Sequence, residues 1–347
     1  MLLHRFSNGD ELHHRNKALI VRFSGTRGVL STSPFNGGFK NNLKYVFNHD
    51  CKENGQKHTP LKALTYEEHM KLIASELGLD PQYACGLSTA ADMENVSIQS
   101  ETYEDLTITA AVTGGIDENG GRVGDPADWH EAGGVSKHVS GTINIMLFID
   151  ANLPEGTITR ALVTCTEAKT AALQELLAPS IYSSGIATGS GTDGTIIVSN
   201  PLSPVYLTYA GKHSKLGELI GRTVMKAVKE ALYLQTGLNA AQQFNIFSRI
   251  KRYGITRQNI LDASPRIDAG KLDTLAKQNS LVVMTSLYVH LLDQLQWGLI
   301  SPGDALTAAG KLLRDAGMDI ALSCCSEDMP PDDMLRSLYI EGLIRLL

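Results

Sequence analysis

The chain has 347 residues and 43% hydrophobic content, enough for a sizeable core and for more than one domain. Its 31 Lys and Arg stand against 37 Asp and Glu, and this net charge of −6 without a basic stripe argues against nucleic-acid binding. The longest apolar run, residues 281–292, contains polar residues and is too short to span a bilayer, so we expect no membrane insertion.

Five cysteines without a Cys-x-x-Cys pair are typical of a reduced chain with inert thiols. The first fifteen residues mix His, Arg, Asp and Glu into their apolar positions and lack the apolar core of a signal peptide. We therefore expect a cytoplasmic protein.

The first half of the chain predicts strands at residues 18–23 and 106–112, since these runs are rich in Val, Ile, Leu and Thr. Between them, Thr65 and Glu68 form a capping box for a helix that ends near Gly78. The same strand composition recurs further along the chain, at residues 142–149, 157–165 and 195–199.

Helices dominate the rest of the chain. Residues 214–235 place their apolar side chains on one helical face, and Gly237 is a suitable terminator. Ser301 followed by Pro302 predicts another helix start, and a last helix follows the proline pair at 330–331.

The composition changes near Gly237, which predicts two parts. Residues 1–238 are expected to form an α+β catalytic domain, with a mixed or antiparallel sheet and packed helices. Residues 239–347 are expected to form a C-terminal helical bundle.

Several segments concentrate small residues and polar side chains beside a predicted strand. Such loops let a backbone approach a ligand closely, although a glycine-rich turn is more often only a turn. The five segments are residues 30–38, 109–115 with Asn119 and 124–126, 141–145, 164–170, and 187–193.

Together these segments resemble the adenosylcobinamide amidohydrolase family. The matching motifs are Ser-Thr-Ser-x-x-Asn-Gly-Gly ending at Gly38, Val-Thr-x-Gly leading to Gly124-Asp125, Gly-Thr-Ile-Asn-Ile at 141–145, Thr-Glu-Ala-Lys at 166–169, Ala-Thr-Gly-x-Gly-Thr-Asp at 187–193, and Gly-Lys-His-Ser-Lys-Leu-Gly-Glu at 211–218. The resemblance covers residues 20–235 and implies cleavage of the amide that joins the aminopropanol arm to the corrin ring of adenosylcobinamide. The product, adenosylcobyric acid, would serve corrinoid salvage and cobalamin biosynthesis.

Amide hydrolysis requires an activated nucleophile, donors for the oxyanion and an acid for the leaving amine. The chain has no Gly-x-Ser-x-Gly elbow, no His-Glu-x-x-His and no zinc-ligand spacing among its ten histidines. Carboxylate-assisted attack by water and a Ser or Thr nucleophile both stay open. We expect no protein-bound metal or cofactor, because the corrinoid cobalt belongs to the substrate.

Three charged residues are the leading catalytic candidates. Glu167 is the first choice for the general base, since it follows the predicted strand at 157–165, although it could equally serve only as a helix-start residue. Lys169 could hold an oxyanion, and Asp193 could pair with Lys169 or activate water, with an Asx turn as its alternative. Asp125, in a Gly-Asp-Pro turn, and His213, at the start of a helix, are secondary candidates.

Small and amide side chains suit contacts with the peripheral amides of a corrin ring. The candidates are Asn36, Gly37, Gly38, Thr142, Asn144, Thr188, Gly189, Gly191 and Thr192. His130 and His138 flank a glycine pair and are weaker candidates for an axial ligand to cobalt.

Two other functions stay open. Gly141-Thr142 before a strand would suit an autoprocessing hydrolase with a Thr nucleophile. A corrinoid carrier or sensor would use the same cleft without cleavage. The expected partner is a corrinoid small molecule, and the oligomeric state is left open, with a homo-oligomer among the alternatives.

Overall fold

A computed structural model describes residues 1–52, 60–127, 130, 142–264, 266–318, 320 and 329–347. The chain divides into two units, Met1–Asn239 and Ala240–Leu347. The first unit holds two large sheets and the second is helical, so the predicted α+β class with C-terminal helices is confirmed.

The first sheet of the first unit has five strands. Its neighbours are antiparallel except for the last pair, which is parallel. The order across the sheet is β1 (Leu2–Arg5), β2 (Glu11–Arg15), β3 (Ala18–Arg22), β6 (Tyr45–Asp50) and β7 (Ala84–Thr89).

The second sheet has six strands and is also mixed, with one parallel pair at its centre. The order is β5 (Gly38–Lys40), β4 (Gly28–Ser31), β13 (Gly194–Ser199), β11 (Thr142–Ile149), β9 (Leu106–Gly115) and β8 (Ser97–Tyr103). A short antiparallel ribbon of β10 (Gly120–Gly121) and β12 (Gly189–Ser190) lies outside both sheets.

Among the described residues of the first unit, three helices cover the sheets: α1 (Tyr66–Glu76), α2 (Glu155–Glu175) and α3 (Lys215–Thr236). Two single turns of 3₁₀-helix, Pro81–Tyr83 and Met93–Asn95, precede β7 and β8. As predicted, the Thr65 hydroxyl accepts from the Glu68 N–H at the start of α1, and Gly237 ends α3 with a left-handed φ of 75°.

The first unit is built in four layers. The two sheets pack face to face over a core that includes Leu19 and Val46 from one sheet and Met146 and Val198 from the other. The outer face of the first sheet packs on α1, and the outer face of the second sheet packs on α2 and α3. The alternation of inward and outward side chains along each strand produces these layers.

The strand predicted at residues 157–165 is wrong, because this segment lies inside α2. Its β-branched residues suggested a strand, but the buried positions Ile158, Ala161, Cys165 and Ala168 recur at helical spacing. The helix connects the parallel strands β11 and β13, a connection that commonly takes a helix because the chain must return to the other end of the sheet.

The second unit contains α4 (Ile246–Ile250), a 3₁₀ turn (Lys251–Tyr253), α5 (Arg257–Ala263), α6 (Ala269–Leu275), α7 (Asn279–Gln296), α8 (Pro302–Asp315) and α9 (Pro331–Arg345). These helices share one apolar core. Inside it, Arg252 forms a bidentate pair with Asp293, and the Tyr253 hydroxyl donates to the same carboxylate at 2.7 Å. The predicted start of α8 is present, with the Ser301 hydroxyl accepting from the Asp304 N–H at 3.1 Å.

Candidate active site

A pocket of about 280 Å³ opens at one end of the sandwich, where β11 and β13 begin and β4, β6 and β7 end. We call it the first pocket. It is lined by Thr32, Ser33, Pro34, Leu61, Tyr66, Leu87, Ser88, Asn144, Thr192, Asp193 and Gly194. Three of the residues selected from the sequence, Asn144, Thr192 and Asp193, therefore meet in one wall.

Asp193 forms an ion pair with Lys169, which reaches it from α2. Both side chains are nearly buried, with exposed fractions of 11% and 12%. The carboxylate also accepts from the Ile143 N–H at 2.8 Å and from the N–H and hydroxyl of Ser190 at 3.0 and 2.6 Å. Four donors thus surround Asp193, and this arrangement fixes the turn that forms the pocket wall.

Asn144 joins the two sheets beside this wall. Its amide oxygen accepts from the Gly194 N–H at 3.1 Å, and its amide nitrogen donates to Asn48 of the first sheet at 2.7 Å and to the Ser88 carbonyl at 3.0 Å. Asn48 in turn donates to the Thr113 hydroxyl at 2.8 Å. Because every polar atom of Asn144 is engaged, its contribution to the site is to hold the Gly194 turn against β7.

Thr142 begins β11 and is 3% exposed. Its hydroxyl donates to the Thr192 carbonyl at 2.6 Å, so it also helps to hold the turn that contains Asp193 and Gly194. Gly141, the preceding residue of the predicted cleavage point, lies outside the described residues, as does His138. His130 is described and is exposed.

The glycines of the segment before Asp193 make room for the ion pair. A Cβ on Gly189 would stand 2.3 Å from the Asp193 carboxylate and 2.7 Å from the Lys169 ammonium. Gly191 packs on Asn119, and the Thr188 hydroxyl accepts from the Val123 N–H at 2.9 Å. These side chains hold the β10–β12 ribbon and the turn that follows it.

Glu167 does not lie at a strand end, since it projects from the middle of α2. Its side chain is 43% exposed and lies 3.9 Å from Arg160 and 3.8 Å from Lys212. Lys169 is only two residues further on, and positions two apart on a helix face different sides. The structure therefore joins Lys169 to Asp193 and leaves Glu167 apart from them.

His213 lies at the far end of the sheet from the first pocket. The next helix, α3, begins where the ammonium of Lys215 stands 4.8 Å from the ring of Tyr103, and it ends where Gln235 bonds Asp92. Its 22 residues span about 33 Å. His213 is exposed and stands just before the start of this helix. The end of the sheet that carries the first pocket lies beside the end of the helix, where Gly115 meets Gln235.

Asp125 and the residues 36–38 hold local turns. The Asp125 carboxylate accepts from the Arg122 N–H at 2.7 Å and from the Ser180 hydroxyl at 2.6 Å. Burial raises the pKa of Asp125, but these hydrogen bonds outweigh burial and the net pKa lies below its usual value.

The Asn36 amide donates to the carbonyls of Pro81 and Ala84 at 2.8 and 2.7 Å. Gly37 is required because a Cβ there would meet the Ser33 carbonyl at 1.8 Å, and Gly38 has a φ of 72°. This turn fastens the end of β4 to the start of β7, and its amide donors are already engaged.

A model of the adenosylcobinamide amidohydrolase family matches residues 3–240, more than half of the chain. The chain belongs to this family. It is 27% identical to the adenosylcobinamide amidohydrolase of Methanosarcina mazei over 233 residues, which are 65% of this chain and 98% of that protein. It is 35% identical to an uncharacterised protein of Methanocaldococcus jannaschii over 240 residues, which are 65% of this chain and 89% of that protein. In this adenosylcobinamide amidohydrolase family member, residues 241–347 follow the matched region, and they make up nearly all of the second unit.

A second pocket of about 260 Å³ adjoins the first and was not predicted from the sequence. The two share Leu61, Tyr66 and Ser88. The second pocket lies between the ends of β6 and β7 and the helix α1, and its polar lining includes Lys17, His49, Asp50, Cys51, Lys52, Lys62, His69 and Glu76. The available sequence signal was the polar run after Tyr45, Val46 and Phe47, which marks the end of a buried strand.

Burial governs protonation in the second pocket. It lowers the pKa of His49 to about 4, with help from the positive charges of His69, Lys62 and Lys17 and against the opposing Glu76. Burial raises the pKa of Asp50, Cys51 and Tyr66. At neutral pH the His49 ring is therefore neutral, and the Cys51 thiol and Tyr66 hydroxyl keep their protons.

Among the described residues, no group of three or more His, Cys, Asp or Glu is placed to hold a metal ion. No helix within the described ranges is long and apolar enough to cross a bilayer.

Proposed function

We propose that this protein hydrolyses the amide between the corrin ring's propionate side chain and the aminopropanol arm of adenosylcobinamide. The product, adenosylcobyric acid, would return to cobamide synthesis. The observation that carries the proposal is the family match across residues 3–240, which spans nearly the whole of the first unit. The free thiols of Cys51, Cys85 and Cys165 favour a reducing, cytoplasmic setting for this reaction.

The size of the first pocket supports a particular mode of binding. At about 280 Å³, it lies at the lower limit of pockets that enclose a drug-sized molecule, roughly 300–1,000 Å³. A whole corrinoid is larger than that. We infer that the amide-bearing arm enters the pocket and that the macrocycle stays outside, against the rim formed by Thr32 and Pro34.

The Lys169–Asp193 pair is proposed to position the pocket wall. Four donors already engage the two oxygens of the Asp193 carboxylate, two on each oxygen. They hold Thr192 and Gly194 at the pocket, where the amide of the substrate would lie. The pair thus supplies a rigid, polar surface for the arm.

The test is turnover of adenosylcobinamide by the purified full-length chain, followed by liquid chromatography and mass spectrometry. We expect adenosylcobyric acid and free aminopropanol in equal amounts. Tight binding without cleavage would indicate a corrinoid carrier or sensor instead of a hydrolase. If the protein neither binds nor cleaves adenosylcobinamide, the proposal of a corrinoid substrate is refuted.

A further inference from the structure

Ser88 occupies the junction of the two pockets, since it lines both of them. Three aliphatic hydroxyls of the first pocket are engaged elsewhere: Thr32 with the Thr195 N–H at 3.0 Å, Ser33 with the Gly86 carbonyl at 2.7 Å, and Thr192 with the Asn119 amide at 3.4 Å. The phenol of Tyr66 interacts with Ser88 itself. Within the described ranges, no backbone group bonds the Ser88 hydroxyl oxygen. Among the Ser and Thr side chains of this pocket, Ser88 is therefore the one whose hydroxyl does least to hold the backbone.

His49 is the direct neighbour of Ser88 across the parallel pair β6 and β7. Alternation along these strands places both side chains on the outer face, with Phe47 and Ala84, which pack on α1. Adjacent strands are about 4.7–4.9 Å apart, so the two side chains project side by side. On the preceding pair of the same face, the Phe47 ring already leans over its partner Gly86.

The His49 ring is also incompletely satisfied. Its Nδ1 is buried and has no hydrogen-bond partner among the described residues. A buried polar atom without a partner is costly, and a catalytic role is one of the explanations for such an atom. His49 lines the second pocket, on the face that Ser88 shares.

We propose that Ser88 is the nucleophile for amide cleavage and that His49 is its general base. This assignment rests on the proposed function, because it places the scissile amide at the junction of the two pockets. It gives a role to two residues that lie outside the Lys169–Asp193 pair.

In the first step the Ser88 oxygen attacks the amide carbonyl carbon, and its proton passes to the His49 imidazole. The tetrahedral intermediate then expels the amine, which takes that proton from His49, and the corrinoid acyl group remains as an ester on Ser88. Water attacks the ester and gives a proton to His49. That proton returns to the Ser88 oxygen as the carboxylic acid leaves, so the enzyme is regenerated.

The surroundings of Ser88 suit this sequence of steps. Tyr66 and Cys51 both interact with its hydroxyl, and burial keeps the pKa of each raised so that both stay protonated donors. The neutral His49 ring can accept a proton at neutral pH. The charged groups that face this ring are Lys17, Lys62, Glu76 and the imidazole of His69.

The first experiment uses a fluorophosphonate, which labels activated serines without any corrinoid. We expect peptide mass spectrometry to find the label on Ser88 of the full-length protein. His49→Ala should reduce labelling by more than about a hundredfold, and added imidazole should restore part of it. Ser75→Ala, at an exposed site on α1, is the matched control and should label like the wild type.

Turnover supplies the second readout. Ser88→Ala should lower kcat by about a thousandfold or more, with circular dichroism confirming the wild-type fold. If the wild type cleaves adenosylcobinamide and Ser88→Ala keeps its rate, the nucleophile assignment is wrong while the proposed function stands. If Ser88 is labelled in a His49-dependent way but adenosylcobinamide is not cleaved, the assignment stands and the proposed substrate is wrong. Absence of label on a wild-type protein that turns over would also overturn the assignment.

Discussion

Replacing Asp193 by Asn tests the role of the buried ion pair. Breaking such a pair costs about 3–5 kcal/mol when both groups are fully buried. Here both side chains are about one-tenth exposed, so we expect about 3 kcal/mol. The amide cannot satisfy the site in either orientation, because its NH₂ group would face Lys169 and the Ser190 N–H, or the Ile143 N–H and the Ser190 hydroxyl.

Thermal unfolding of the full-length chain, followed by far-ultraviolet circular dichroism, measures this loss. For a unit of 150–250 residues, about 1 kcal/mol shifts Tm by roughly 2–4 °C, so Asp193→Asn should lower the transition of the first unit by about 6–12 °C. Glu175→Gln removes the exposed partner of Lys229 and is the matched control. An exposed pair contributes at most about 1 kcal/mol. Equal shifts for the two variants would refute the view that the Asp193 pair holds the pocket wall.

Three further outcomes are expected. Gly189→Ala should cost about 1–3 kcal/mol in the same thermal assay, because its Cβ would collide with the ion pair; Gly156→Ala, which meets nothing within 4 Å, should be neutral or stabilising, and equal Tm values would contradict this reasoning. The folded pKa of His49 lies near 4, below its unfolded value of about 6.5. The unfolded chain therefore binds the proton first, and stability should fall by up to about 3 kcal/mol as pH drops from 6.5 to 4. Denaturation of His49→Gln across this range should give a flatter profile, and an unchanged profile would count against the neutral buried ring. Glu167→Gln should leave turnover close to the wild-type rate, since this carboxylate is exposed on α2. A large loss of turnover would show that Glu167 takes part in catalysis.

Regular patterns made much of the fold predictable. The strand at Thr142–Ile149 is apolar except for Thr142 and Asn144 and is rich in Ile, and its bounds match the prediction to the residue. The helix α3 has a continuous apolar stripe, a Ser cap and a Gly terminator, and its predicted bounds differ by one residue at each end. Both elements carry their signal locally, in spacing and capping.

The error at residues 157–165 has a physical cause. Thr, Ile and Val suggested a strand, yet the hydroxyls of Thr159 and Thr166 bond the carbonyls of Glu155 and Leu162 four residues earlier, as β-branched hydroxyl residues do inside helices. The buried residues of this segment recur every three or four positions, so their spacing indicates a helix even though the β-branched composition indicates a strand. The same error produced the choice of Glu167 as a strand-end base.

The candidate site was only partly predictable. The pairing of Lys169 with Asp193 follows from two motifs of the family resemblance, and the structure brings them together. The neighbourhood of Ser88 and His49 could not be predicted in this way, because it depends on the parallel register of two strands that the sequence did not reveal. Strand pairing over such distances leaves no local pattern in the chain.

The most direct measurement is to incubate the full-length protein with adenosylcobinamide in water enriched in oxygen-18 and to analyse the products by mass spectrometry. We expect free aminopropanol and adenosylcobyric acid that carries a single oxygen-18 atom in its new carboxylate. Recovery of unaltered adenosylcobinamide, bound or free, would show that this protein does not hydrolyse the arm amide.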